Sequence, residues 1–164
     1  MLPIPTHSEE SIRLSIQNLK TFFFLDEGLL KAVNGVSFDL RKREVIGIIG
    51  ESGCGKSVLV RSLINIIRKP GYIISGSIKL MQDSGNEIDI AKLKSSDRQL
   101  RTIRGREISI IFQEPMTSLS PVHTVGSQIL ESFLLHQQVS VEEAKRATIE
   151  MINSVGIPNP DQRY

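Results

Sequence analysis

Two kinds of apolar spacing alternate along the chain. Residues 12–19 and 32–40 (AVNGVSFDL) place apolar side chains at alternating positions, as in a strand with one covered face, and Asp26-Glu27-Gly28 between them is a turn signal. An antiparallel pair is predicted. Residues 45–49 (VIGII) and 107–112 (EISIIF) are instead nearly continuous in β-branched residues, which predicts strands buried on both faces. A helix is expected from Lys56 to Arg68, ended by Pro70-Gly71. Residues 75–81 and 85–90, around the turn Asp83-Ser84-Gly85, predict a hairpin, and a short helix is expected over 96–103. The prolines and hydroxyl residues of 113–121 keep that segment irregular. A helix over 124–136 follows. Ser140-Val141-Glu142-Glu143 is a capping box opening another, with Val141, Ala144, Thr148, Met151, Ile152 and Val155 on one face and Gly156 and Pro158 as its stop.

Composition narrows the class. At 164 residues and 40% hydrophobic, the chain suits one domain with a real core, or part of a larger one. A net charge of +2, with no block of lysines and arginines, gives no reason to expect nucleic acid as a partner. Arg98, Arg101 and Arg104, three apart, are expected on a solvated helical face. The single cysteine, Cys54, excludes an internal disulfide and fits a reducing compartment. The N-terminal residues MLPIPTHSEESIRL lack a basic leader and an apolar core, so no signal peptide is expected, and no apolar stretch approaches the ~20 residues of a bilayer span.

The candidate chemistry lies directly after the run 45–49. Gly50-Glu51-Ser52-Gly53-Cys54-Gly55-Lys56-Ser57 is a glycine-rich turn ending in Gly-Lys-Ser, the pattern that cradles nucleotide phosphates. Gly50, Gly53 and Gly55 allow backbone N–H groups to converge on phosphate oxygens. Lys56 brings positive charge to the β- and γ-phosphates, and Ser57 places a hydroxyl for Mg²⁺ at a helix N-terminus. The spacing of Gly47, Gly50 and Gly53 also suggests a dinucleotide-binding turn, but that motif has no use for Gly-Lys-Ser and no acidic residue closes a second strand at the expected distance. A GTPase or small-molecule kinase would share the cradle. The chain has neither a DxxG nor an NKxD motif.

AVNGVSFDL before the loop, GESGCGKS itself and REISIIFQEPMTSLSPVHTVGSQI after it resemble the ATP-binding subunits of ABC transporters, most closely those importing dipeptides and oligopeptides. The resemblance implies an α/β phosphate-loop NTPase core with an N-terminal antiparallel β subdomain and the start of a helical subdomain, an incomplete domain. It would divide into residues 12–112, a loop at 113–123 and the helical start at 124–164. ATP and Mg²⁺ are the implied cofactors, with Gln113 and Ser57 on the metal and Gln113 sensing the γ-phosphate. The family's aromatic adenine stacker matches Phe22 best, although Phe22-Phe23-Phe24 leaves the choice open. Implied partners are membrane-embedded permease subunits, a second ATP-binding subunit and, indirectly, an extracytoplasmic peptide-binding protein. The implied location is peripheral, on the cytoplasmic face of the membrane. The family's usual Gly-Glu before the core strand is Arg43-Glu44 here, so that turn must either take another backbone conformation or hold a non-glycine residue at some cost. The signature motif, catalytic glutamate and switch histidine are expected beyond Tyr164, which leaves the catalytic residues unknown and the chain alone inactive in hydrolysis. His7, His123 and His136 match none of these. A non-catalytic polypeptide that binds nucleotide or a partner is the alternative.

Overall fold

The computed structural model describes residues 11–112 and 118–159. The chain forms two compact units, Met1–Arg101 and Thr102–Tyr164.

The first unit is built on a four-stranded antiparallel sheet in the order β2-β1-β3-β4, from β1 (Ile12–Leu25), β2 (Gly28–Arg41), β3 (Gly71–Met81) and β4 (Glu87–Asp89). The predicted antiparallel pair and the 83–85 hairpin both form, and the first pair extends to the tight turn at Asp26-Glu27. β1 runs past its expected end by a bulge at Asn18, whose φ is 47°, with register shifts against both neighbours. Gly76 makes room for it: a side chain there would lie 2.6 Å from Asn18 O and Leu19 Cα. Leu14, Ile16, Leu19, Val33, Ile78 and Leu80 form the buried face.

The helix after the phosphate loop, α1 (Lys56–Leu63), stops short of the expected Arg68. Asn65 takes φ 52°, its N–H reaches Ser62 O at 2.9 Å and the Ile66 N–H reaches Arg61 O at 2.9 Å, which closes the helix in a Schellman motif before Pro70 matters. Asn65 Nδ2 then donates to Leu93 O at 2.8 Å.

Neither expected core strand forms. Residues 45–49 pair with nothing among the described residues, and Val45 and Ile49 are 94% and 97% exposed. Residues 107–112 make only the bridge Arg104–Ile108, with Ile111 96% exposed. β-branched composition favours an extended chain, but a strand exists only through a neighbour that takes its hydrogen bonds, and neither run has a ladder of such bonds among the described residues.

α2 (Arg98–Ile103) is the short helix expected at 96–103. The arginine face is corrected, because Arg104 lies beyond the helix end and is partly buried, and desolvation lowers its pKa. In the second unit, α3 (Val125–His136) is capped by Thr124 and α4 (Val141–Ser154) by Ser140 in the expected box, and the two pack on each other. Of the expected apolar face of α4, Ala144, Thr148 and Ile152 are buried, whereas Val141, Met151 and Val155 are exposed. Gln128 ties down the preceding loop, its Nε2 donating to Ser120 O and His123 O and its Oε1 accepting from Ser120 N.

Candidate functional site

The sequence of the loop dictates its shape. Gly53 and Gly55 have φ of 81° and 99°, left-handed values that a Cβ disfavours. Gly50 does not need such a conformation; a side chain there would meet Cys54 Sγ at 2.6 Å. Gly55 is the N-cap of α1 and has no side chain to accept from the helix, so the first N–H groups of α1 have no side-chain cap. A helix terminus left open in this way carries partial positive charge and free donors for an anion.

Lys56 adds the full charge. Its ammonium folds back over the loop, donating to Gly50 O and Glu51 O at 2.7 Å each and lying 3.5 Å from Cys54 Sγ. These acceptors are neutral, so the charge is positioned without being neutralised. Cys54 is a free, exposed thiol, Glu51 and Ser52 are exposed on the loop, and Ser57 is exposed at the second position of α1. Gln113, the other expected metal-site residue, and Glu114 to Thr117 lie outside the described residues.

Beside the loop, Gly53, Cys54 and Gly55 share a cleft of about 380 Å³ with Phe23, Leu30, Val58 and others. Its walls are largely apolar, with Lys31 the one charged residue in the lining. The expected stacker, Phe22, is absent from that lining; its ring lies 6.0 Å from Lys31 Nζ. Phe23 lines the cleft, and its ring also covers Gly71, where a side chain would lie 2.6 Å from it. The signal for Phe23 was its spacing of two from Thr21, since Thr21 is fully buried and bonds to α1. Without the structure, three adjacent phenylalanines hide that alternation.

Arg43 holds φ 62° in the turn after β2, so of the two alternatives the turn keeps a glycine-like conformation with a non-glycine residue in it. Glu44 supports the turn by accepting from Arg41 N at 2.7 Å. His123 is exposed, and His136 ends α3 against Gly105, where a side chain would lie 2.5 Å from its Nε2.

Solved structures with this fold are ATP-binding cassettes. One, dimeric and in a post-hydrolysis state bound to ADP and Pi, superposes with a TM-score of 0.69 at 21% identity, covering 85% of this chain and 56% of its own. A second, the dimeric structure of a bacterial ABC transporter cassette, gives 0.67 at 20% identity with the same coverage. The fold class is that of ABC ATPase cassettes. The family described as "ABC transporter" matches residues 33–164, and the chain belongs to it.

Among the relatives, the probable peptide ABC transporter ATP-binding protein y4tR of Sinorhizobium fredii is 39% identical over 96% of this chain and 45% of its own length. The dipeptide transport ATP-binding protein DppD of Bacillus subtilis is 42% identical over 92% of this chain and 43% of its own. The oligopeptide transport ATP-binding protein AmiE of Streptococcus pneumoniae is 39% identical over 95% and 42%. The chain spans less than half the length of these relatives.

Proposed function

We propose that this chain forms the nucleotide-binding region of an ATP-binding subunit that powers peptide import through an ABC transporter. The observation that carries the reading is the uncapped start of α1 behind Gly53 and Gly55, with the Lys56 ammonium held over the loop by neutral acceptors. The peptide transport functions named for the relatives support the cargo class.

In this reading the triphosphate lies against Gly50 to Ser57, and Lys56 exchanges the Gly50 and Glu51 carbonyls for phosphate oxygens. The exchange is favourable because a charged acceptor makes a shorter, stronger bond than a neutral one. Phe23, in place of Phe22, offers a flat face for the base, and the apolar cleft walls exclude water from it. Mg²⁺ suits this donor set, since it keeps several waters and needs few protein ligands; Ser57 would hold it, with Gln113 as a second ligand. When bound, it neutralises charge on the β- and γ-oxygens.

Hydrolysis then belongs to the complete subunit paired with a second one. Residues 113–121 pass nucleotide state to permease subunits at the cytoplasmic face of the membrane, and a peptide-binding protein outside delivers cargo. No described helix is long and apolar enough to cross a membrane, which accords with a peripheral role. Titration of the chain with a fluorescent ATP analogue tests the reading. Lys56→Ala should weaken binding about 100-fold, the loss expected when a charged hydrogen-bonding group is removed from a triphosphate. Equal affinities for the two proteins would overturn the assignment.

A further inference from the structure

α1 buries few of its side chains completely. Only Leu59 and Ser62 of its eight residues are buried, and Ser62 is wholly so. Opposite it on β1, Thr21 is also wholly buried, and the two hydroxyl oxygens are 2.8 Å apart. Ser62 Oγ donates to Val58 O at 2.7 Å. A serine hydroxyl has one proton, so the bond between the pair runs from Thr21 to Ser62. The relay is therefore Thr21 O–H to Ser62 O–H to the Val58 carbonyl.

Its two ends adjoin the cleft. Val58, in the first turn of α1 next to Ser57, lines the cleft, and so does Phe23 on β1, two residues beyond Thr21. Apolar contact such as that of Leu59 leaves a short helix free to slide or rotate by fractions of an ångström. A buried hydroxyl pair does not, because a hydrogen bond weakens steeply with distance and angle and an unmade one is costly in a low dielectric. We propose that Thr21 and Ser62 are positioning residues that hold the phosphate end of the cleft in register with its base end, so that one nucleotide engages both. The inference rests on the nucleotide reading above.

The relay predicts a selective defect, because inorganic tripolyphosphate uses only the phosphate end while ATP must span both. Calorimetric titration of the chain with Mg·ATP and with Mg·tripolyphosphate separates them. Thr21→Val should weaken ATP about five- to tenfold while tripolyphosphate changes by less than about twofold, and Thr21→Ser should restore ATP binding. The double variant Thr21→Val/Ser62→Ala removes both polar groups together, which keeps the stability near that of the parent, and it should show the same selective loss. It decides the matter if Thr21→Val alone does not fold. Equal weakening of both ligands, or a folded double variant that binds ATP as the parent does, would overturn the proposal. If the parent chain itself binds neither ligand, the nucleotide reading fails and takes this inference with it, a result seen before any variant is made.

Discussion

Gly55 lies with its backbone against Ala32 of β2: a methyl group at Gly55 would collide with the Ala32 carbonyl oxygen, and its φ is +99°. Two separate costs therefore fall on one position, a left-handed conformation and a clash with backbone that cannot rotate away. Gly53 bears only the first, with φ +81° and nothing within 4 Å of an added side chain. Gly53→Ala should destabilise the chain by about 1 kcal/mol and Gly55→Ala by about 2–4 kcal/mol. Denaturant unfolding of the two variants measures the difference; matching midpoints would mean that β2 yields to accommodate the methyl.

Phe23 and Phe22 should differ in nucleotide binding even though they are neighbours. Phe23 lines the cleft beside the loop and Phe22 does not. Phe23→Ala should lower ATP affinity about tenfold, the loss of one stacked ring, while Phe22→Ala changes it by less than about twofold. Fluorescent nucleotide titration of both variants is sufficient. A larger effect at Phe22 would return the stacking role to the residue that sequence resemblance favoured.

Arg43 offers a gain in stability. It sits at φ 62°, where a side chain costs backbone strain and glycine does not. Arg43→Gly should raise stability by about 0.5–1 kcal/mol after the entropy of the freer unfolded chain is offset. Arg43→Ala, which keeps the Cβ, should bring no such gain. Thermal unfolding of both variants compares them, and a destabilised glycine variant would show that the arginine side chain contributes more than its strain removes.

Glu143 makes the capping of α4 dependent on pH. Its carboxylate accepts from Ser140 N and from Ser140 Oγ, at 2.8 Å each, and the first of these bonds is the main reason its pKa lies below the ordinary glutamate value. A carboxyl held below its unfolded value contributes stability above that value and loses it as pH falls through the folded one. The gap in unfolding midpoint between the parent and Glu143→Ala should be complete above the ordinary glutamate range and shrink as the pH falls below it. A gap constant across that window would mean that the carboxylate charge takes no part in the cap.

Short-range features were legible in the residues alone. The loop from Gly50 to Ser57, the turn at Asp26-Glu27 and the Ser140–Glu143 box are each set by φ preferences and donors within four residues, and the chain carries those wherever it folds. The end of α1 belongs with them in principle, because Asn65 supplies a local Schellman cap, but asparagine is a weaker stop signal than the Pro70-Gly71 that follows it. Tertiary structure alone decided which phenylalanine enters the cleft, since a bulge at Asn18 resets the alternation of β1 before the three rings are reached. It also decided that the runs 45–49 and 107–112 form no strand here, and that Thr21 meets Ser62 across 41 positions of sequence. A pairing partner or a facing wall is a property of two distant segments, and no pattern within either one encodes their meeting.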